Sequence, residues 1–402
     1  MDLARSGTHR PSPLPSREGS GVGFPAVRIL AASLIVILLF KGFTLRAADV
    51  SLRNEVQLAV DRGLAWLKTQ QHTNGGWSSA EHPALTALAL SAFMNEPSEA
   101  YRKAPPEFLR RGYAHLLQHV QPDGGIYAKG LANYNTSLAV MALLAARDPK
   151  HEPVIRRARA FIASQQNDLG VKGRVDSPGD GGVGYGGSTP HADLSNTLMA
   201  LEALRFSRRG EGKDDPDGFN WQAAIDFLQR CQNLRSHNRE GWASDDPANR
   251  GGFVYYPGNS KAGETNLAGG RVALRSYGSM SYAGLLSYIY ADVKRDDPRV
   301  TAAYEWLRRN FTLDENPGMG AEGWFYYFHT MAKALSAYGV DRIRINAGAE
   351  VNWREALAKK LFDLQQRDGS WVNEKSGRWM EKDPVMVTAY AVLTLTHVAR
   401  GL

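Results

Sequence analysis

A histidine and a lysine that could do acid–base chemistry lie in one apolar segment of this chain. His329 precedes Lys333 by four residues, and Tyr326 and Tyr327 come directly before them. Residues four apart lie on the same face of a helix, so we expect the imidazole and the ammonium to be neighbours. If this cluster faces a cavity, it could transfer protons or bind an anion. The alternative is a buried histidine with a purely structural role.

Other polar residues stand at the starts of further apolar segments. Asp193 and Asn196 begin one such segment, and Tyr277, Ser279 and Tyr282 begin another. Asp, Asn and Ser at a helix start also cap unpaired backbone amides, so capping is the alternative explanation for these positions. The predicted catalytic residues are His329, Asp193, Tyr282 and Lys333, and the predicted ligand-binding residues are His82, Asn135, Asn196, Tyr277, Ser279, Trp324, Tyr327 and Trp379. We predict no metal and no cofactor.

These segments belong to a pattern that recurs six times along the chain. Each copy has an amphipathic segment, Gln or Asn, a Gly-Gly or Gly-x-aromatic turn, and an apolar segment, as in Gln70-Gln71, Gly75-Gly76-Trp77 and Ala84 to Phe93. A two-faced helix packs on the outside of a domain, and a helix that is apolar all round packs inside. The sequence therefore predicts an all-α fold in which six helical hairpins form a closed α/α toroid. We expect a single domain over residues 49–402.

Composition limits the classes of function. The chain has 402 residues, of which 43% are hydrophobic, so it can bury a large core. The formal net charge is +7, and part of it lies in the N-terminal segment. Because the sequence shows no basic stripe, we expect no nucleic-acid partner. The single cysteine, Cys231, excludes an internal disulfide.

The N-terminal segment, residues 1–48, has the features of a targeting sequence. Several arginines, the last of them Arg28, precede an uncharged run from Ile29 to Phe40, and small residues at Ala47 and Ala48 could be a cleavage site. The run is shorter than the ~20 residues that span a bilayer, which favours a signal peptide over a signal anchor. We expect export, with the protein either periplasmic or anchored in the inner membrane by residues 26–44.

The repeat resembles that of squalene and oxidosqualene cyclases and of protein prenyltransferase β subunits. The resemblance rests on the glutamines followed by Gly75-Gly76-Trp77 and by Gly369-Ser370-Trp371, and it covers about residues 55–400. It implies a central cavity, lined by the N-terminal ends of the inner helices, in which an isoprenoid or other hydrophobic small molecule lies against aromatic walls. We expect the protein to be a monomer.

Neither catalytic motif of these families is complete in this sequence. Squalene-type cyclases carry Asp-x-Asp-Asp-Thr, and the matching stretch here begins at Asp193 and has Ser195 in place of the acid. A hydroxyl is too weak to replace that acid. Prenyltransferases hold zinc with Asp-x-Cys and a histidine; His329-Thr330 resembles the latter, but Tyr277-Gly278-Ser279 stands in place of the former. The resemblance thus implies a toroid that lacks both catalytic sets and either binds an isoprenoid or polycyclic lipid or also transforms it. If the protein is an enzyme, the resemblance implies one similar to terpene cyclases and mutases or to prenyltransferases.

Two other classes of function fit parts of the sequence. Six-hairpin toroids also include glycan-acting enzymes such as polysaccharide lyases, for which His329, Tyr282, Tyr277 and Arg275 could supply the catalytic groups. A non-catalytic interaction scaffold is the third hypothesis, with the loop from Asp245 to Gly270 as the contact surface. The repeat with Gln and Gly-Gly-Trp favours the terpenoid class over both.

Overall fold

The structure is a computed structural model that describes residues 50–186, 191–208, 217–346 and 348–402. Its compact unit from Leu52 to Leu402, called the ring domain below, contains all the elements that build the site. The predicted targeting segment, residues 1–48, lies outside the described residues, and so does the candidate anchor over residues 26–44. No helix in the described part of the chain is both long and apolar enough to cross a bilayer.

Helices make up most of the ring domain. Among the described residues the α-helices are α1 (50–69), α2 (Pro83–Asn95), α3 (Ala100–Lys103), α4 (Glu107–Leu117), α5 (Ala132–Ala146), α6 (Glu152–Ser164), α7 (Leu194–Phe206), α8 (Trp221–Arg230), α9 (Gly278–Tyr290), α10 (Pro298–Arg309), α11 (Trp324–Tyr338), α12 (Trp353–Leu364) and α13 (Pro384–Ala399). Two short antiparallel pairs join β1 (Glu264–Asn266) to β2 (Val272–Leu274) and β3 (Arg342–Arg344) to β4 (Glu350–Asn352). β1 lies in the segment from Asp245 to Gly270 that the sequence predicts as a loop, and β2 follows it.

Six of these helices form a closed inner ring. In order around the ring they are α2, α5, α7, α9, α11 and α13, and α13 packs against α2 to close it. The other long helices lie outside: α4 packs on α2, α6 on α5, α10 on α9 and α12 on α13. The inner helices are buried on nearly all sides, whereas outer helices such as α8 bury one face only. The predicted all-α toroid of six hairpins is confirmed.

Glycines in the turns bring neighbouring hairpins into contact. Gly75 has a φ of 90°, and a Cβ on it would lie 2.5 Å from the backbone oxygen of Arg111 on the next outer helix. At the other end of the domain, a Cβ on Gly369 would lie 2.6 Å from the oxygen of Arg62, which closes the ring. The same contact recurs at Gly124, Gly181 and Gly251. Because a side chain would clash there, glycine is required for ring closure.

The repeated glutamines tie the same turns together. Gln71 Nε2 donates to the carbonyl oxygens of Gly75 and Phe108, each at 2.8 Å. Gln365 Nε2 donates to Gly369 O and Ala59 O, each at 2.9 Å. Equivalent pairs of bonds are made by Gln166 and Gln232. The glutamines of the repeat are therefore structural links between hairpins.

The hairpin of α10 and α11 departs from this pattern. Its turn carries Asn316, whose Oδ1 accepts from Ser279 N at 2.9 Å and whose Nδ2 donates to Ser279 Oγ at 3.2 Å. The N-terminus of α11 is capped by Glu381, a residue from the last hairpin. These hydrogen bonds between different hairpins fix the starts of α9 and α11, where the candidate site lies.

Candidate functional site

A cavity of about 270 Å³ lies at the N-terminal ends of the inner helices, where the resemblance implies one. Its walls are mostly aromatic and sulfur-containing side chains. They are Leu131, Tyr134, Tyr185, Ser195, Met199, Tyr255, Tyr277, Ser279, Met280, Tyr326, Trp379, Met380, Glu381, Met386 and Tyr390. The side chains come from the first two turns of α5, α7, α9, α11 and α13 and from the loops before them.

Backbone bonds between hairpins position the tyrosines of the loops. Asn133 N, at the start of α5, donates to the carbonyl of Tyr185 at 2.9 Å, and Leu194 N, at the start of α7, donates to that of Tyr255 at 2.8 Å. Each loop thus caps the inner helix of the preceding hairpin. The consequence is that both tyrosine rings are held at the cavity wall by the ends of inner helices.

Hydroxyl contacts join the tyrosines that stand on the inner helices. The hydroxyls of Tyr134 and Tyr390 are 3.4 Å apart, and Ser195 Oγ is 3.1 Å from the hydroxyl of Tyr326. Burial raises the pKa of Tyr134 to about 12, and it raises the pKa of Tyr326 and Tyr390 as well. All three phenols are therefore neutral at physiological pH, and their rings present apolar faces to the cavity.

The mouth of the cavity has two exposed hydrophobic residues. Trp379 is 41% exposed and Met380 39%, and both have positive φ, 55° and 65°. A non-glycine residue in this region costs of order 1–3 kcal/mol. The indole is held by Arg378, whose guanidinium lies 4.6 Å from the ring centre and which pairs with Glu322 at 2.5 Å. A strained, partly exposed tryptophan thus borders the cavity entrance.

Asp193 is buried beside the cavity but does not line it. It is the N-cap of α7: its Oδ1 accepts from Asn196 N at 2.9 Å and its Oδ2 from Asn196 Nδ2 at 2.8 Å. Burial raises the pKa of Asp193 to about 6, while hydrogen bonds from Asn196 and from the Tyr255 side chain favour the charged form. The side chain of Tyr255, which is hydrogen-bonded to Asp193, is on the cavity wall, so Tyr255 lies between this carboxyl and the cavity.

Glu381 is a second buried carboxyl, and it does line the cavity. Its Oε1 accepts from Phe325 N and Tyr326 N, each at 2.9 Å, and its Oε2 accepts from Trp324 N at 2.8 Å and Asn373 Nδ2 at 2.6 Å. Burial raises the pKa of Glu381 to about 7, and these four donors oppose that rise. Each oxygen already accepts two hydrogen bonds, so a proton on Glu381 would displace one of them.

Three of the predicted site residues, Tyr277, Ser279 and Trp379, line the cavity. Several others make structural bonds. Asn135 Oδ1 caps α2 by accepting from Ala84 N at 3.0 Å, and Tyr327 donates to Thr312 O at 2.8 Å. His82 precedes α2, and Tyr282 packs on Tyr327 with ring centres 5.6 Å apart. The ammonium groups of Lys360 and Lys375 lie over the ring of Trp324. Asn196 is hydrogen-bonded to Asp193. The functional roles of all these residues stay predictions.

The predicted tyrosine–histidine–lysine cluster does not converge on this cavity. His329 lies deeper in the ring, with its imidazole 5.2 Å from the ring of Tyr390 and 6.1 Å from that of His397. Burial lowers the pKa of His329, with a smaller contribution from Lys333, so the imidazole is neutral. Lys333 forms a buried ion pair with Glu202 and faces the opposite end of the ring. One helical turn, roughly 5.4 Å, is enough to separate the two residues along the ring axis.

The other twelve wall residues were not among the predicted site residues, and they include Tyr134, Tyr185, Tyr255, Tyr390 and Glu381. For two of them the sequence does hold a signal. Tyr185 and Tyr255 each follow a Gly-Gly turn by three residues, where no helix accounts for an aromatic. For Glu381 the sequence holds none, because this residue caps a helix of another hairpin. In the described residues no group of three or more His, Cys, Asp or Glu side chains is placed to hold a metal ion.

No protein-family model matches this chain, and no curated protein matches it in sequence. Solved structures do match. Type II terpene cyclase MstE from Scytonema, without ligand, is 13% identical and aligns over 87% of this chain and 99% of its own, with a TM-score of 0.51. A variant of MstE in complex with its substrate, geranylgeranyl dihydroxybenzoate, is 14% identical over 88% of this chain and 100% of its own, with a TM-score of 0.52.

A third structure, an MstE variant in complex with the product merosterolic acid A, is 14% identical over 88% of this chain and 99% of its own, with a TM-score of 0.51. At this level of identity the likeness shows the fold. The ring domain has the α/α toroid fold of the terpenoid cyclases. The finer resemblance to squalene cyclases and prenyltransferases stays a prediction.

Proposed function

We propose that the ring domain binds an isoprenoid or a polycyclic lipid in the cavity at the N-terminal ends of the inner helices. One observation carries the proposal: six tyrosine rings and Trp379 surround a cavity whose other walls are mainly Met and Leu side chains. Aromatic faces and thioethers make close contacts with branched hydrocarbon without placing charge in the cavity. Such walls suit a hydrocarbon and do not suit a strongly polar ligand.

The size of the cavity agrees with a lipid that is only partly enclosed. Its volume of about 270 Å³ is slightly below the range of roughly 300–1,000 Å³ that is typical of small-molecule pockets. An isoprenoid chain would place one section inside and leave through the mouth at Trp379 and Met380. The exposed hydrophobic surface of these two residues would then cover the emerging part of the ligand.

Two of the solved structures with this fold support the same ligand class. They contain geranylgeranyl dihydroxybenzoate and merosterolic acid A, bound to variants of MstE. Because the sequence identity is 14%, the fold by itself does not transfer their chemistry to this chain. The aromatic walls of the cavity are the independent support.

The geometry favours binding over alkene protonation. Protonation requires an acidic proton that faces the substrate in a cavity without water. Here Ser195 stands on the wall, Asp193 is behind Tyr255, and Glu381 has its acceptor positions filled by four N–H donors. We therefore propose a lipid-binding protein with the fold of a cyclase. A cyclised product whose formation is abolished by Asp193→Asn would contradict this part of the proposal.

Native mass spectrometry with lipid extraction tests the binding. The chain from Asp49 onward would be purified beside Met199→Trp, which fills the cavity, and Ala337→Trp, which adds the same side chain at the opposite end of the ring. We expect a terpenoid adduct on the wild-type chain and on Ala337→Trp, and none on Met199→Trp. An adduct that survives in Met199→Trp, or no adduct on any of the three, would reject the cavity as a lipid site.

We also propose, from the sequence, that the protein is exported and acts as a monomer. The support for export is the uncharged run from Ile29 to Phe40 after several arginines. N-terminal sequencing of the mature protein would locate a cleavage near Ala48, or show that residues 26–44 are retained as an anchor. The glycan-acting and scaffold hypotheses stay predictions, and a panel of polysaccharides would test the first of them.

A further inference from the structure

A second cavity, of about 350 Å³, lies at the C-terminal ends of the inner helices. Its basic and imidazole side chains are Lys333 from α11, Arg354 from α12, and His397 and Arg400 from the end of α13. Phe206 and Tyr290, the last residues of α7 and α9, form an aromatic wall beside them. Neither the repeat nor the proposed lipid site accounts for this group of residues.

The charges around this cavity are not balanced. Within the described residues no acidic side chain lines it. Lys333 is neutralised by a buried ion pair with Glu202, which also receives a hydrogen bond from Tyr290 at 3.4 Å. Arg354 is only 7% exposed, and its one acidic partner is Asp341, which is 3.4 Å away and largely in solvent. Arg400, the second guanidinium on the cavity wall, has Glu99 nearby, but Glu99 is half exposed and pairs with Arg102.

Some of these charges have a structural role. Cations at the C-terminal ends of helices are favourable because carbonyl groups there are unpaired. Arg354 Nη1 donates to His397 O at 2.8 Å and to Ser336 Oγ at 3.2 Å, and Arg400 Nη2 donates to Asn95 Oδ1 at 3.2 Å. In the described residues, Arg354 Nη2 and Arg400 Nη1 make no hydrogen bond. Capping therefore explains one arm of each guanidinium and leaves the other for a ligand.

The pKa shifts of the cavity residues also support a site for an anion. Burial lowers the pKa of Arg354, and burial together with Arg102 lowers that of Arg400. The pKa of His397 falls to about 3, through burial and repulsion from Lys333 and Arg400. The parts of the His397 and Arg400 shifts that come from neighbouring cations indicate a positive potential, which a bound anion would offset, and a neutral His397 keeps one N–H to donate to it.

We propose that this second cavity binds a small soluble phosphate ester. The phosphate would lie between Arg354 and Arg400, because guanidinium groups match the geometry of phosphate oxygens. Ser336 and His397 are further wall residues with polar groups, and the apolar or aromatic part of the ester would pack on Phe206 and Tyr290. The site lies at the opposite end of the ring from the lipid cavity and does not depend on it.

Isothermal titration with inorganic phosphate and with phenyl phosphate, at constant ionic strength, tests this site. We expect saturable binding of both, with phenyl phosphate the tighter ligand because of the aromatic wall. Arg400→Gln should weaken binding of both by about tenfold or more, since it removes a charge-assisted bond. Arg53→Gln removes the same charge from an exposed position on α1 and should leave both affinities unchanged.

A second variant keeps the test decisive. Arg354→Lys retains the charge and loses the planar fork, so binding should weaken although the protein still folds. The proposal is overturned if neither soluble probe binds the wild-type chain, or if Arg53→Gln and Arg400→Gln weaken binding equally. Retention of the chain by phosphatidylglycerol vesicles, with no binding of either soluble probe, would also overturn it.

Discussion

The two ends of the inner ring show opposite chemistry. At the N-terminal ends of the helices the buried ionisable groups are the acids Asp193 and Glu381, and at the C-terminal ends they include Lys333 and Arg354. The helix dipoles favour this sorting, since amide groups at the N-termini favour negative charge and carbonyl groups at the C-termini favour positive charge. Two buried acids at the C-terminal end are exceptions: Glu202, which pairs with Lys333, and Glu96, the C-cap of α2.

The two ends differ in how many hydrogen-bond partners their buried charged groups have. Both carboxyl groups at the N-terminal end accept hydrogen bonds from helix amides, so the cavity there is bordered by neutral tyrosines and methionines. At the C-terminal end, Arg354 and Arg400 each have one arm without a partner among the described residues. The same fold thus forms an apolar cavity at one end and a cationic cavity at the other.

The largest effect is expected from breaking the ion pair at the cationic end. Lys333→Ala leaves the Glu202 carboxylate buried without its partner and should lower the free energy of unfolding by about 3–5 kcal/mol. Lys359→Ala removes an exposed pair with Glu355 and should leave the free energy of unfolding nearly unchanged, because solvent screens that pair. Urea denaturation of both variants measures the difference. Equal losses would mean that the Lys333–Glu202 pair is not desolvated.

At the N-terminal ends of the inner helices, Glu381→Ala should lower the free energy of unfolding nearly as much. It leaves three backbone amides at the start of α11 without an acceptor, and we expect a loss of about 3 kcal/mol or more. Lipid binding should fall as well, because Tyr326 is positioned by one of these bonds. The control is Glu374→Ala, an exposed residue in the same loop. Unchanged stability in Glu381→Ala would show that water or another group can cap α11.

The raised pKa of Asp193 predicts a particular pH dependence. Its pKa is about 6 in the folded chain and near 3.8 in the unfolded chain, so the folded state binds the proton more tightly. The stability that wild type gains relative to Asp193→Asn is present at about pH 4 and is lost as the pH rises through 6, by up to about 3 kcal/mol.

Asp297 gives a control of opposite sign for that experiment. It caps α10, and its hydrogen bonds with Arg299 lower its pKa, so Asp297→Asn should lose stability relative to wild type as the pH rises above about 4. Thermal denaturation across this pH range compares the two variants. A pH trend of the same sign for both would contradict the assignment of Asp193 as the desolvated acid.

The smallest effect concerns the mouth of the lipid cavity. Trp379→Ala should weaken isoprenoid binding by about tenfold, because a partly exposed indole of this size contributes about 1–2 kcal/mol of contact. Stability should change little, because the indole is 41% exposed and alanine, which also carries a Cβ, keeps the same backbone cost at positive φ. Trp66→Ala, a half-buried tryptophan on α1, should leave lipid affinity unchanged. Fluorescence titration with an isoprenoid alcohol measures both.

The sequence predicts the fold well, because ring closure depends on local and periodic features. The Gln71 and Gly75 pair recurs with the same spacing at Gln365 and Gly369 and with wider spacing in two other hairpins, and the structure shows that each makes a contact with the next outer helix. The site was predicted in part. Tyr277 and Ser279 were found, since they stand at the start of an inner helix, and this end of each helix faces the cavity.

The rest of the site depends on quantities that the sequence does not contain. Tyr390 reaches the cavity from the second turn of α13, and His329 lies one turn too deep; both outcomes depend on how each helix is rotated and shifted along the ring axis. Glu381 lies in a loop and caps a helix that is not its neighbour in sequence. Such contacts between one hairpin and another depend on the closed ring as a whole.

The most direct test of the lipid cavity is photochemical labelling with an isoprenoid that carries a diazirine, followed by peptide mapping. We expect labels on Tyr185, Tyr255 and Tyr390, with labelling lost in Met199→Trp and kept in Ala337→Trp. Labels concentrated on Phe206, Tyr290 or the outer helices, or labelling unchanged by Met199→Trp, would contradict this expectation.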